Sequence, residues 1–468
     1  MTTTLHVDTW RQICLVFNLC LPFFAAGFDP SATPPSPYLA SMLTAYTRAH
    51  APLTPYAAEL LAALRSMDAD LASATVPLSR PAGNRTLSVH PIGFSIPPQY
   101  VRAVVPAKGQ ALATVIPGEH NTYKFLPAPD DTPSKLTALE RDYYADMERA
   151  YFGLTWKKAG WDCLRHLELL AAGCIPLFTD IGSAPAGAVT FLPKRVLSLA
   201  LRFPGVDRLS GVPGADRGGA DSPSTRDVVI NLDGIDLVLY SLTVTALLDY
   251  TRRHLTSPRM AAYMLATMGI DAPYCRLPGE DDRAISPSRR RRRHSQALRR
   301  QWLGDGVPNP CPPLRVLYLA LAKDTTDYMA DTLAHGLVTL LGPDSVIEHH
   351  RRDVLYTTPR LVREDVRAPA RASQYGFGFT YGNTLFDMRD AGTEDEADSS
   401  LREAISARAF DIVVLSLIHR GPPPLMEAVC GAYPSKRVSA VHGHDTPPSE
   451  AELAAYAPCA GFYFAREA

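Results

Sequence analysis

The 468-residue chain has almost no net charge, since 47 Lys and Arg stand against 48 Asp and Glu. No global field therefore draws it to nucleic acid or to an anionic membrane. Cysteine is sparse: the eight, at positions 14, 20, 163, 174, 275, 311, 430 and 459, include no C-x-x-C pair. A disulfide-dense scaffold and the common zinc and redox motifs are excluded, and the thiols read as reduced and buried. No internal repeat is visible. The apolar run at residues 13–28 is broken by Asn18 and Pro22 and has only Arg11 as a positive flank. It falls short of the about 20 residues of a membrane helix and lacks the basic start of a secretory signal. A buried element is the favoured reading. Membrane association through 13–28 is the alternative, and a cytoplasmic location is slightly favoured over an endomembrane one. Asn84-Arg85-Thr86 is a glycosylation sequon only if the chain is secretory.

What is present is ordinary globular composition, 46% hydrophobic and 20% charged, on a length suited to two or more domains. Proline is the excess, 41 residues. It punctuates residues 30–55, ahead of a helical stretch at 56–72, so residues 1–85 read as a mostly helical N-terminal extension. From residue 87 short apolar runs (87–97, 111–118) read as strands. Helices are expected at 140–151 and 162–172, with the short strand CIPLF at 174–178. A Gly- and Pro-rich insertion at 203–226, a strand at 228–232 and a helical pattern over 235–266 complete an α/β domain at 86–272. Residues 273–312 are a basic, Pro- and Arg-rich linker. A second α/β domain at 313–468 alternates strands (314–321, 410–418, 436–443, 461–467) with helices (326–341, 424–430), the pattern of a parallel sheet covered on both faces.

Residues 155–176, TWKKAGWDCLRHLELLAAGCIP, carry the most chemistry. Gly160 permits a tight turn, Asp162 is a candidate N-cap, and Arg165 and Glu168 lie three residues apart on the helix it opens. Lys157 and Lys158 sit just before that helix N-terminus, where backbone N–H groups already favour an anion such as a diphosphate. The same residues also fit a plain surface ion pair and a solvated turn.

The order G-W-D-C-x-R-H-x-E-x-L-A-x-G-C-I-P resembles the nucleotide-sugar motif of exostosin-like glycosyltransferases, over about 25 residues closely and over residues 87–194 loosely, with S-V-H-P-I-G-F-S-I-P and Pro193-Lys194 included. The resemblance implies a GT-B-like fold of two Rossmann-like domains, a nucleotide-sugar donor as substrate, no other cofactor and no obligatory metal. It implies that Lys157 or Lys158 neutralises the diphosphate, that Arg165 assists, that Glu168 holds the ribose, and that Gly160 and Gly173 allow close backbone approach. In that family the motif lies in the C-terminal domain, whereas here a further α/β domain follows it.

In the C-terminal domain, His419 and His442-Gly443-His444-Asp445 follow expected strands, at the ends where ligands gather in open α/β sheets. His442, His444, Asp445 and His419 are therefore the candidate bases for an acceptor hydroxyl. The glycine-aromatic loop at 374–383 could stack a sugar. The arginine run at 289–293 reads as a solvated linker, so nucleic acid is not an expected partner. The expectation is a glycosyltransferase moving a sugar from a nucleoside diphosphate to a glycan or protein hydroxyl. The alternative is a non-catalytic nucleotide-binding or scaffold protein.

Overall fold

The computed structural model describes residues 37–114, 133–208, 228–270, 314–321, 327–357, 384–386 and 398–467. The run at 13–28, the loop at 374–383, the arginine run at 289–293 and most of the insertion at 203–226 lie outside these residues, as do Cys14, Cys20, Cys275 and Cys311.

The fold is α/β. Its main sheet has seven strands in the order β1-β2-β14-β13-β12-β8-β9: β1 (Leu78–Ala82), β2 (Arg85–Pro91), β8 (Val316–Leu319), β9 (Val346–His349), β12 (Ile412–Leu415), β13 (Val438–His442) and β14 (Phe462–Ala465). All neighbours pair parallel except β1 and β2, which form an antiparallel hairpin. The sheet is therefore mixed, and it draws β1 and β2 from residues 78–91 into a layer otherwise built after residue 313. The β1–β2 hairpin spans the boundary expected at residue 85, and β2 joins the units expected at 86–272 and 313–468 by pairing with β14 in parallel register, Tyr463 opposite Val89 and Phe464 opposite His90.

Side chains alternate across this sheet as the strand period requires. Leu317, Leu319, Val413, Leu415, Val438 and Ala440 face a core shared with α9 (Asp398–Ser406), α10 (Met426–Ala432) and α11 (Glu450–Tyr456). Val316, Tyr318, Ile412, Val414, Val441 and Phe464 face the other way, into a core continuous with the first half of the chain. There α8 (Tyr328–Leu341) packs on α7 (Ser257–Thr267). Asp327 caps α8 by accepting from the Met329 and Ala330 N–H groups, and Gly342, at φ +95°, ends it.

A second, parallel sheet has the order β3-β4-β5: β3 (Gln110–Leu112), β4 (Ala150–Thr155) and β5 (Ile175–Phe178). Helix α3 (Pro133–Arg149) joins the first pair and α4 (Leu164–Ala171) the second. Helices α1 (Pro37–Ala49), α2 (Pro55–Ala74), α5 (Lys194–Ala200) and α6 (Leu237–Tyr250) complete this half. β6 (Val206–Arg208) and β7 (Val228–Ile230) form a separate antiparallel pair, and β10 (Tyr356–Thr357) and β11 (Leu385–Phe386) a short parallel one. No helix among the described residues is long and apolar enough to cross a membrane.

Several sequence expectations are corrected. The helix expected over 140–151 ends at Arg149, and Ala150–Thr155 is the central strand of the second sheet. The helix expected over 235–266 is two: a π-turn at Thr251–Leu255 and Pro258 interrupt it. The Ile96 backbone fills the break, donating to the Leu255 carbonyl and accepting from the Ser257 N–H. The thiols are not all reduced: Cys430 of α10 is disulfide-bonded to Cys459 after α11, while Cys163 and Cys174 are free.

Candidate functional site

The loop after β4 carries the motif. His166, fully buried on α4, anchors it: Nδ1 pairs with Thr155 Oγ1 at 3.0 Å, Nε2 with the Trp161 carbonyl at 3.1 Å, and the ring stacks on Phe178 with centroids 4.3 Å apart. Burial pulls its pKa down to about 4, so the ring is neutral and one of its nitrogens donates while the other accepts. The helix N-cap is Cys163, with no side-chain cap bond, rather than Asp162. Asp162 is buried and turns instead to the segment after β2, accepting from the Phe94 N–H at 2.6 Å.

Across from this loop lie the carboxyl ends of the main-sheet strands. Arg466, after β14, is the junction. Its Nε donates to the Gly443 carbonyl at 3.0 Å and its Nη1 to the Asp162 carbonyl at 2.7 Å. Its Nη2 pairs with Asp445, and its guanidinium lies 4.5 Å from the Phe94 ring centroid. Glu467 Oε1 accepts from Trp161 N–H at 2.8 Å and Asp162 N–H at 3.1 Å. Gly160 is buried against the same group, and a Cβ there would lie 2.5 Å from Asp445 Oδ1 and 3.1 Å from the Arg466 guanidinium nitrogens. The motif loop and the 442–445 turn, far apart in sequence, are thus brought into direct contact.

Lys157 and Lys158 are exposed at this edge. Lys157 Nζ lies 5.6 Å from the Trp161 ring centroid. Partial burial lowers the Lys158 pKa, Cys163 opposes that shift, and the like charge of Arg165 adds to it. Arg165 and Glu168 form an ion pair at 3.1 Å, with Glu168 only 2% exposed and its Oε2 also accepting from Tyr143 OH at 2.6 Å. The Arg165 guanidinium sits 5.2 Å from the Tyr143 ring centroid. This geometry makes Glu168 a buried support for Arg165 and Tyr143. Gly173 lies at the opposite end of α4. Its φ of +66° ends the helix, and Lys108 Nζ holds its carbonyl at 2.6 Å, so its backbone serves the fold there.

The candidate bases divide. His419, His442 and His444 form a triangle, their ring centroids 5.4–6.0 Å apart. His419 Nδ1 accepts from the Gly443 N–H at 3.2 Å, which places its proton on Nε2, 3.7 Å from Asp327 Oδ2. Burial, reinforced by His442, drives its pKa down to about 3. His442 is 1% exposed, with Nε2 3.4 Å from Glu452 Oε1. Asp445 is held by Arg466. His444 is exposed, and its Nδ1 pairs with Thr446 Oγ1 at 2.8 Å, leaving Nε2 for a further partner.

Sequence reasoning missed Arg466, Glu467 and His166. Burial decides the first two, and a charged pair closing an apolar terminal strand, FYFARE, was the only available signal. Among the described residues no group of side chains fits a metal ion. Comparison with protein-family models, curated proteins and solved structures found no match to this chain.

Proposed function

We propose that the protein is a glycosyltransferase using a nucleoside-diphosphate sugar, with a GT-B-like pair of Rossmann-like frames whose carboxyl edges face each other. The observation that carries this reading is the seating of the 157–162 loop, through Gly160, on Asp445 and Arg466. It joins the end of β4 to the ends of β2, β13 and β14, and ligands of open α/β sheets bind at strand carboxyl ends. The order β9-β8-β12-β13-β14, read along the chain as 2-1-3-4-5, supports a doubly wound frame.

In this reading Lys158, Arg165 and the α4 N-terminus take the diphosphate. As the sugar C1–O bond breaks, the nucleoside diphosphate departs with the electron pair, and these charges stabilise it. The acceptor oxygen bonds to C1 and gives its proton to a base, for which His444 is the accessible candidate. Glu168 is a positioning residue that holds Arg165. Calorimetric titration with a panel of nucleotide sugars tests the proposal. Binding weakened at least tenfold in Lys158→Ala and Arg165→Ala supports it, and no binding, or equal binding in the variants, rejects it.

A second reading has its own observation. His419 is bonded at Nδ1 to the Gly443 N–H, His442 is buried and Asp445 is ion-paired. A non-catalytic nucleotide-binding protein fits those facts equally. Release of nucleoside diphosphate from donor, lost in His444→Ala, separates the enzyme from the binding protein.

A further inference from the structure

We infer that Asn84 is a site of N-linked glycosylation, and that the chain passes through the oxidising compartment in which such glycans are attached. The sequence contains a single Asn-x-Ser/Thr triplet, Asn84-Arg85-Thr86. It falls at the tip of the β1–β2 hairpin, where Ala82 pairs with Arg85 and Gly83-Asn84 is the two-residue turn. Gly83 takes φ +65°, the conformation such turns demand. Asn84 and Thr86 are both exposed, so the triplet is accessible for attachment.

The Cys430–Cys459 disulfide is an independent observation pointing the same way. It joins α10 to the turn after α11, across the core of one face of the main sheet. Persistent structural disulfides belong to secretory and extracellular proteins and are rare in the cytosol. The reading of reduced thiols rested on their sparseness and the lack of C-x-x-C pairs, which says nothing about cysteines 29 residues apart.

The glycan also answers a liability of the fold. β1 is an edge strand with four of its five residues exposed, the hydrophobic Leu78 among them, and Val76 just before it is exposed too. Arg80 and Pro81 already blunt the end of this edge nearest the turn, which leaves Val76 and Leu78 as the part for a glycan to shield. Leu78 lies about 13 Å along the strand from the turn at 3.3 Å per residue, within the spread of a branched oligosaccharide anchored at Asn84. In the attachment step the Asn84 Nδ2 forms a bond to C1 of an oligosaccharide. The C1–O bond to a lipid diphosphate breaks, that diphosphate leaves with the electron pair, and the amide loses one proton.

The test is expression of the full chain in a eukaryotic cell, followed by treatment with an amidase that removes N-glycans and by non-reducing peptide mapping of residues 430 and 459. The expected result is one mass decrease in the wild type, with Asn84 converted to Asp. That decrease is absent in Asn84→Gln and Thr86→Ala and retained in Thr86→Ser, and Cys430–Cys459 is oxidised. An unshifted wild-type chain overturns the inference, whether its disulfide is oxidised or reduced.

Discussion

His166 shows what a single residue contributes here. It is neutral, buried, bonded at both ring nitrogens and stacked on Phe178, so it fixes the path of the motif loop without reaching any ligand. Substitution His166→Phe keeps the stacking and strands the Thr155 hydroxyl and the Trp161 carbonyl, which should cost about 2–4 kcal/mol in urea denaturation at neutral pH. The pH dependence has a definite sign. Because the folded-state pKa falls from 6.5 to about 4, the His166 contribution is complete above pH 6.5 and is lost as the pH drops toward 4. In His166→Phe that share of the acid slope should vanish, and an unchanged slope contradicts the assignment. The sequence showed the Arg165 and Glu168 pairing because a three-residue spacing places them on one helix face. It could not show that Glu168 is buried under Tyr143, or that Asp162 turns to Phe94, since both depend on partners 25 and 68 residues away.

At the scale of elements, the central helices and strands were readable from periodicity, whereas α1, α5, α9, α11 and β9 were not expected and two further readings failed at their ends. The strand Ala150–Thr155 follows Arg149 directly, with no Gly, Pro or other turn residue between helix and strand to separate them, so the helix was extended too far. The break at Thr256 is set by Ile96, a contact made across 160 residues. Close helix approach is likewise invisible locally. Gly336, in the middle of α8, has no room for a Cβ, which would collide with the Ser257 carbonyl at the start of α7. His335 Nδ1 pairs with Ser257 Oγ at 2.7 Å beside it. Gly336→Ala improves helix propensity by about 1 kcal/mol. We nonetheless expect a net loss of about 1–3 kcal/mol by overpacking, measured by thermal denaturation. A stabilised Gly336→Ala protein would show that the two helices do not pack this closely.

For the whole molecule the decisive features are long-range. One core runs from the N-terminal helices through α6, α7 and α8 to one face of the main sheet, and β2 joins that sheet beside β14. Alternating strands and helices made the α/β class legible, but no sequence pattern states which strand pairs with which, and the domain boundary expected at residue 85 divides a hairpin that the sheet unites. Arg466 fastens this arrangement at the candidate site. Its loss in Arg466→Met strands Asp445 and two carbonyls and should cost about 2–4 kcal/mol. Arg466→Lys should restore little, because one ammonium cannot reproduce three contacts in a planar fork. Full recovery by lysine in thermal denaturation would show that charge alone matters there.

Donor binding tests the central claim most directly. Titration of the wild-type chain with nucleotide sugars, repeated with Lys158→Ala and Arg165→Ala, should give saturable binding that weakens at least tenfold in each variant while the melting temperature without ligand changes little for Lys158→Ala. Absence of binding to every nucleotide sugar, or equal affinity in wild type and both variants, contradicts the account.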